Sequence, residues 1–186
     1  LALPDSILVA DSGNGQILRV ATPGGNILRR WGNLNDPQGM AVLGDQLYVA
    51  ETGAHRILRL QLAGDAREVV AGTGKQASFR PQEGPGLETA LNSPWALEAD
   101  GNLLHIAMAG SHQLWTLDTD SGKLRHLAGS GRENIVDGPS RTAQLAQPSG
   151  LSRLGRQLYF ADSEVSAIRV VDLEKSRVSS LVGSHL

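Results

Sequence analysis

One hairpin pattern occurs four times in this sequence, and this repetition restricts the fold more than any other feature. Each copy has an apolar strand ending in alanine, a small polar turn and a second apolar strand. The copies occupy residues 9–20, 48–60, 106–117 and 160–171. Their equivalent alanines, Ala10, Ala50, Ala107 and Ala161, follow one another at intervals of 40, 57 and 54 residues. Strand, tight turn and strand predict a β-hairpin, and repetition at this period is typical of repeat architectures.

Each repeat extends beyond its hairpin to about four short strands. Three repeats open on Pro37, Pro94 and Pro148, whereas the first begins without this opening strand. One small sheet cannot bury both of its faces, but sheets stacked around an axis cover one another. We therefore predict an all-β protein, a β-propeller with four four-stranded blades, over the β-solenoid alternative, whose coils are usually shorter and lack a hairpin in each unit. The expected blades lie at about residues 1–32, 33–74, 91–131 and 145–183 of one partial propeller domain spanning 1–186.

Two long segments, residues 73–92 and 130–146, separate the later repeats. They are related to each other, because Gly84-Pro85 and Gly138-Pro139 are 54 residues apart, the same interval that separates the flanking repeats. In a propeller the loop between the second and third strands and the link between blades lie on one face. We expect this loop-bearing face to carry the binding site, since loops held on a rigid scaffold commonly do so.

Composition narrows the range of functions. The chain has 186 residues, 17 Lys plus Arg against 19 Asp plus Glu, and no cysteine. Arg19, Arg59 and Arg169 on the third strands indicate either a basic stripe for phosphate or a solvated outward row. The near-neutral charge and the few aromatic residues favour the second interpretation and argue against nucleic-acid binding. No apolar run approaches the roughly 18 residues of a membrane span, so no membrane partner is expected.

The repeated phrase resembles the NHL repeat: Pro-x-Gly-apolar, then Tyr-Val-Ala-Asp/Glu-Ser/Thr-Gly-x-x-Arg-Ile, then a last strand closing on glycine. The third repeat departs most, with Ala96, Met108 and Leu114 at the glycine, acid and isoleucine positions. Residues 91–95, 106–115 and 161–169 are similar to the subgroup in which a thioredoxin-like domain precedes an NHL propeller. The resemblance implies a ring that is usually six-bladed, and because the first repeat is truncated we interpret the chain as a piece of a longer one.

Two sets of equivalent polar residues are candidates for chemistry. His55 and His112 share a turn position, where they either contact a ligand or metal or bond to backbone. Asp11, Glu51 and Asp162 share a strand end, where they either ring a calcium ion or accept hydrogen bonds from their own turns. Met108 interrupts the acidic set, which favours the second interpretation.

We predict a non-catalytic binding or scaffold module that recognises a protein segment or small ligand on the loop-bearing face. Two alternatives remain open: the propeller part of a thiol-redox protein, and a metal-dependent propeller hydrolase or lyase. No cofactor or metal is predicted, and self-association through open blade edges is expected. The predicted ligand-binding residues are His55, Arg56, Trp95, His112, Gln113, Asp162 and Ser163.

Overall fold

The computed structural model describes residues 1–78 and 82–183, which form four successive antiparallel sheets. The strands are β1 (Ser6–Asp11), β2 (Gln16–Ala21), β3 (Ile27–Trp31), β4 (Pro37–Leu43), β5 (Gln46–Glu51), β6 (Arg56–Gln61), β7 (Arg67–Ala71), β8 (Gly84–Pro85), β9 (Pro94–Asp100), β10 (Leu103–Met108), β11 (Gln113–Asp118), β12 (Lys123–Ala128), β13 (Gly138–Pro139), β14 (Pro148–Leu154), β15 (Gln157–Asp162), β16 (Ala167–Asp172) and β17 (Arg177–Val182). The first sheet is β1-β2-β3, the second β4-β5-β6-β7, the third β8-β12-β11-β10-β9 and the fourth β13-β17-β16-β15-β14. The predicted all-β propeller architecture is confirmed.

The four predicted hairpins share one register. In each of them the equivalent alanine faces an apolar residue of the following strand: Ala10 with Ile17, Ala50 with Ile57, Ala107 with Leu114 and Ala161 with Ile168. The sequence repeat is therefore also a repeat of strand pairing, and equivalent positions occupy equivalent places in each sheet.

Each hairpin turns through a short 3₁₀ segment, and a fifth such segment lies in the first long link. The segments are Ser12–Asn14, Thr52–Ala54, Gly86–Glu88, Ala109–Ser111 and Ser163–Val165. A residue in the left-handed conformation ends each hairpin turn: Gly15, His55, His112 and Ser166, with φ between 49° and 60°. Non-glycine residues adopt this conformation uncommonly, so the two histidines occupy backbone positions that the turn requires.

Neighbouring sheets pack face to face, closest along their first strands. A Cβ on Gly39 of β4 would lie 2.6 Å from the Cα of Ala96 and 2.7 Å from the carbonyl oxygen of Trp95, both in β9. In the second sheet, the glycine of the Pro-x-Gly opening is therefore required because a side chain at this position would overlap the backbone of β9. Further out, Ala50 and Ile57 are fully buried in the apolar cluster that contains Trp115 of the third sheet.

The two end sheets each leave one apolar face uncovered. Ile168 and Val182 of the fourth sheet are 42% and 61% exposed, whereas Leu114 and Ala128, at the equivalent positions of the third sheet, are fully buried. In the first sheet Ile7 and Ile27 are likewise exposed. Because the surfaces that bury these positions in the middle sheets are absent at the ends, the described residues form an open arc of blades.

The long links add a feature that the four-stranded expectation did not include. Strand β8 pairs with β12 and β13 pairs with β17, so each link supplies a short fifth strand to the blade that follows it. The links also contact these blades through equivalent acids. The carboxylates of Glu83 and Asp137 accept hydrogen bonds from the backbone N–H of His126 (3.3 Å) and Ser180 (2.8 Å). Within the described residues, no helix is long and apolar enough to cross a membrane.

Candidate functional site

The hairpin turns and the blade links meet on one face, as the sequence predicts. Backbone N–H groups of the turns donate to link carbonyls within the same blade: Gly53 to Asn35 (3.1 Å), Ala109 to Ser93 (3.1 Å) and Ser163 to Gln147 (3.3 Å). The turns are thus fixed to the links by backbone hydrogen bonds, and this loop-bearing face is a continuous surface rather than a set of independent loops.

His55 and His112 connect consecutive blades. The Nδ1 atom of His55 accepts a hydrogen bond from the backbone N–H of Ser93 (3.0 Å), and that of His112 accepts one from Gln147 (3.2 Å). Because a backbone N–H can only donate, each Nδ1 carries a lone pair and each neutral ring holds its proton on Nε2. Burial lowers the pKa of His55, which favours this neutral form. The geometry agrees with the backbone-bonding interpretation of this pair.

The acids at the strand ends are also engaged by their own blades. Buried Glu51 accepts the backbone N–H of Asn35 (2.8 Å) through Oε1 and pairs with Arg56 through Oε2. Asp11, in the first sheet, accepts from Asn14 (2.9 Å) and Gln16 (2.6 Å). These contacts follow the interpretation in which each acid stabilises its own turn.

Asp162 belongs to a buried ionic network that the sequence did not indicate. Its Oδ1 accepts the backbone N–H of Ala146 (2.7 Å), and its Oδ2 lies 2.7 Å from Nη1 of Arg169. The guanidinium also reaches Asp137 at 3.0 Å, while its centre lies 5.7 Å from the Phe160 ring centroid. Burial raises the pKa of Asp162, and the hydrogen bonds from Arg169 and Ala146 oppose this rise.

The expectation that Arg169 joins an outward row with Arg19 and Arg59 is wrong. Arg169 is fully buried, because the 54-residue interval makes it equivalent to Trp115 in the core of the third sheet. Val170, one residue further on, is the position equivalent to Thr116 and Arg59. Because strand side chains alternate between faces, aligning Arg169 with Arg59 instead of with Trp115, an error of one residue, predicted it on the wrong face of its sheet.

The predicted ligand-binding residues Gln113 and Trp95 differ in how exposed they are and in what they contact. Gln113 is buried, accepts a hydrogen bond from the Trp115 indole (3.2 Å) and donates to the carbonyl of Gly129 (3.3 Å), so both ends of its amide serve the blade. Trp95 is half-buried, and its backbone packs against Gly39 of the preceding blade. Of the two, Trp95 keeps the more accessible surface.

Hydroxyl groups at the first turn position make a further connection between blades that sequence reasoning missed. Ser12 donates to the carbonyl of Pro37 and Thr52 to that of Pro94, each at 2.5 Å. The predicted residue Ser163 is exposed at the equivalent position and donates to the carbonyl of Gln147 at 2.8 Å. The Asp/Glu-Ser/Thr pair in the repeat was the signal that could have revealed this contact.

A cleft of about 420 Å³ lies within the first link, and we call it the link cleft. Its lining includes Ser78, Gln82, Glu83 and Glu88. Ser78, Gln82 and Glu88 are exposed and make no side-chain hydrogen bond or ion pair within residues 1–78 and 82–183, whereas Glu83 pairs with Arg141 (2.5 Å). In the same part of the chain, no three His, Asp or Glu side chains come together in an arrangement that would hold a metal ion.

The sequence model of the NHL repeat matches residues 34–60. Human NHL repeat-containing protein 2 is 35% identical over 218 aligned positions, covering 97% of this chain and 30% of the relative. The chloroplastic protein SUPPRESSOR OF QUENCHING 1 of Arabidopsis thaliana is 36% identical over 157 positions, covering 80% of this chain and 15% of the relative. The chain therefore spans less than a third of the length of these curated relatives.

Solved structures share the fold at lower identity. A structural-genomics protein from Bacteroides thetaiotaomicron superposes with a TM-score of 0.76 at 17% identity, over 95% of this chain and 45% of that chain. The repeated hairpins, the stacked sheets and the match to the repeat model agree with one another. Residues 34–60 of this chain match the NHL repeat, and its four sheets are consecutive blades of an NHL-type β-propeller.

Proposed function

We propose that these blades form a non-catalytic binding module that holds a protein segment at the loop-bearing face, in the link cleft. The proposal rests on the polar groups of that cleft that have no partner within residues 1–78 and 82–183, in a link that is itself fixed to a rigid blade. The predicted turn residues His55, His112, Gln113 and Asp162 act in this proposal as supports that position the links.

The charge of the cleft suggests the kind of segment. Glu88 lines it with no ion pair within residues 1–78 and 82–183, Glu83 lines it paired with Arg141, and Leu87 beside Glu88 is 60% exposed. An extended segment with a lysine or arginine next to an apolar residue would complement this surface, since charge complementarity guides recognition.

Site-specific photocrosslinking in the purified protein tests this proposal. A photoreactive residue at Ser78 should capture a discrete partner, and Glu88→Lys should reduce the capture about two- to tenfold because it reverses a charge at the rim. The matched control is the same photoreactive residue at exposed Lys175, which lies in the β16–β17 turn at the opposite end of the strands. Equal capture from both positions, or capture that Glu88→Lys leaves unchanged, would contradict binding in the link cleft.

A second candidate function is supported by the subgroup resemblance and by the similarity to much longer relatives. In this alternative the propeller docks a thioredoxin-like domain carried elsewhere in the parent protein. The residues in hand contain no cysteine, so any thiol chemistry would have to come from that domain. Sequencing the parent chain tests the alternative, which requires a Cys-x-x-Cys motif outside residues 1–186.

A further inference from the structure

A separate pocket of about 390 Å³ lies between the third and fourth blades, on the side opposite the loop-bearing face. Its lining includes Asp100 and Leu103, beside the β9–β10 turn, and Asp118 and Lys123, beside the β11–β12 turn. These turns lie at the opposite ends of the strands from the β10–β11 hairpin turn. The pocket shares no lining residue with the link cleft, although Arg141, which lines it, pairs with Glu83 of that cleft. Nothing in the proposed function uses the pocket.

His105 is the buried polar group of this pocket. It is 3% exposed, its Nδ1 lies 3.0 Å from the Thr116 hydroxyl, and its Nε2 has no hydrogen-bond partner within the described residues. The Asp100 carboxylate, 3.9 Å from Nε2, favours a proton on that atom, so that the Thr116 hydroxyl donates to Nδ1. A buried N–H without an acceptor is uncommon in native proteins and is a reason to look for a missing partner.

The charges around this pocket do not balance once existing partners are counted. Asp100 already pairs with Arg153 at 2.9 Å, and Asp118 accepts the backbone N–H groups of Asp120 and Ser121, each at 3.0 Å. In contrast, the exposed Lys123 and Arg125 side chains form no hydrogen bond or ion pair within residues 1–78 and 82–183, although the charge of Arg125 contributes to lowering the pKa of Asp118. Arg141, which also lines the pocket, is paired with Glu83, so the groups left without a partner among the described residues are Lys123, Arg125 and the His105 Nε2–H.

The preceding blade interface provides an internal comparison. There the positions of His105, Thr116 and Arg125 are occupied by Tyr48, Arg59 and Glu68, which line a pocket of about 420 Å³. Cross-strand pairing is the same in both blades, since Arg59 faces Glu68 as Thr116 faces Arg125. Arg59 and Glu68 form an ion pair, so that interface neutralises its own charge. Because threonine and arginine replace this pair, the Arg125 guanidinium of the third blade has no ion-pair partner within residues 1–78 and 82–183.

We infer that the pocket between the third and fourth blades binds a small organic anion. Its carboxylate or phosphate group would lie between Lys123, Arg125 and the His105 Nε2–H, and its apolar body against Leu103, Leu127 and Leu173. Charge-assisted hydrogen bonds of this kind are shorter and stronger than neutral ones. The leucines line the same pocket, and this apolar wall distinguishes the site from an exposed basic patch.

Two probes separate the possible sources of the anion: hexanoate, which has a carboxylate and an apolar body, and inorganic phosphate. Binding is followed in the purified protein through the ring ¹⁵N signals of His105 and through thermal stability. At least one probe should shift the His105 signals saturably, and the tighter probe identifies the group that is recognised. Lys123→Gln together with Arg125→Gln should weaken binding about tenfold or more, as expected when charged hydrogen-bond donors are removed.

The decisive variant combines Thr116→Arg with Arg125→Glu, which rebuilds the ion pair of the preceding interface. This variant should remain folded and lose the saturable His105 shift. Arg177→Gln is the matched control, because Arg177 is exposed at the position of the fourth blade equivalent to Lys123. Failure of both probes to shift His105, or equal binding by the rebuilt variant, would overturn the inference without bearing on the link cleft.

Discussion

At the scale of single residues, one repeat position can hold very different chemistry. Trp115 and Arg169 are equivalent, yet the indole packs against the His126 ring at a centroid distance of 5.3 Å while the guanidinium pairs with Asp162 and Asp137. Each of these side chains is buried with a partner suited to it. The repeat therefore fixes where a side chain points, and the residue found there determines which partners it needs.

Arg169→Met tests the energetic role of the buried ion pair. Removal of the guanidinium leaves Asp162 buried without its counter-charge, and loss of one partner of such a pair costs about 3–5 kcal/mol of unfolding free energy. Denaturant unfolding measures the change, with Arg177→Met on the exposed part of β17 as the control, expected to change stability by less than about 0.5 kcal/mol. Equal effects of the two substitutions would show that the pair contributes nothing specific.

Gly39→Ala tests the close approach of β4 and β9. An added Cβ would meet backbone atoms of Trp95 and Ala96 below 3.0 Å, and backbone cannot move aside as a flexible side chain can. We expect a destabilisation of about 1–3 kcal/mol in denaturant unfolding, the usual cost of overpacking. Gly13→Ala is the control, because no atom lies within 4 Å of the Cβ it would add. Similar stability for the two variants would contradict a steric need for glycine at position 39.

At the scale of elements, the hairpin turn is the unit that joins one blade to the next. A hydroxyl at its first position, as in Thr52, and a histidine at its last, as in His55, both bond to the opening strand region of the following blade. These contacts explain the polar turn of the repeat without a ligand. Turn residues such as His55, which the sequence predicts to bind a ligand, thus act mainly in joining the blades of the propeller.

Stability should depend on pH through one buried and two half-buried histidines. Burial lowers the pKa of His55, His105 and His126 in the folded state, while the unfolded chain keeps values of about 6.5. Below that pH the unfolded state binds more protons, so stability is complete above about pH 6.5 and decreases as the pH falls through the folded pKa values. Denaturant unfolding at several pH values measures this slope, which His55→Asn should reduce. A gain in stability on acidification through this range would contradict the assignment.

At the scale of the whole molecule, the open arc leaves two apolar faces exposed. We propose that further blades of the parent chain cover them, and that the 186-residue chain alone associates through them. Ile168→Lys should weaken this association because Ile168 lies within the uncovered face, as measured by sedimentation equilibrium. Leu154→Lys is the control, since Leu154 is 74% exposed at the end of β14, beside the β14–β15 turn. A chain that stays monomeric at all concentrations, or an equal effect of both substitutions, would contradict the proposal.

The architecture could be predicted from the sequence, because the hairpin recurs four times and the opening proline three times at fixed intervals, and each further copy strengthens a weak local signal. The sequence also predicts that the hairpin turns and the blade links lie on one face, because the connectivity of a propeller allows no other placement of them. Which polar residues have partners could be seen only in the folded chain. Arg169 is buried and Asp162 is paired through contacts between segments distant in the sequence, and the Nε2 atom of His105 has no hydrogen-bond partner among the described residues. No periodicity along the chain records these contacts.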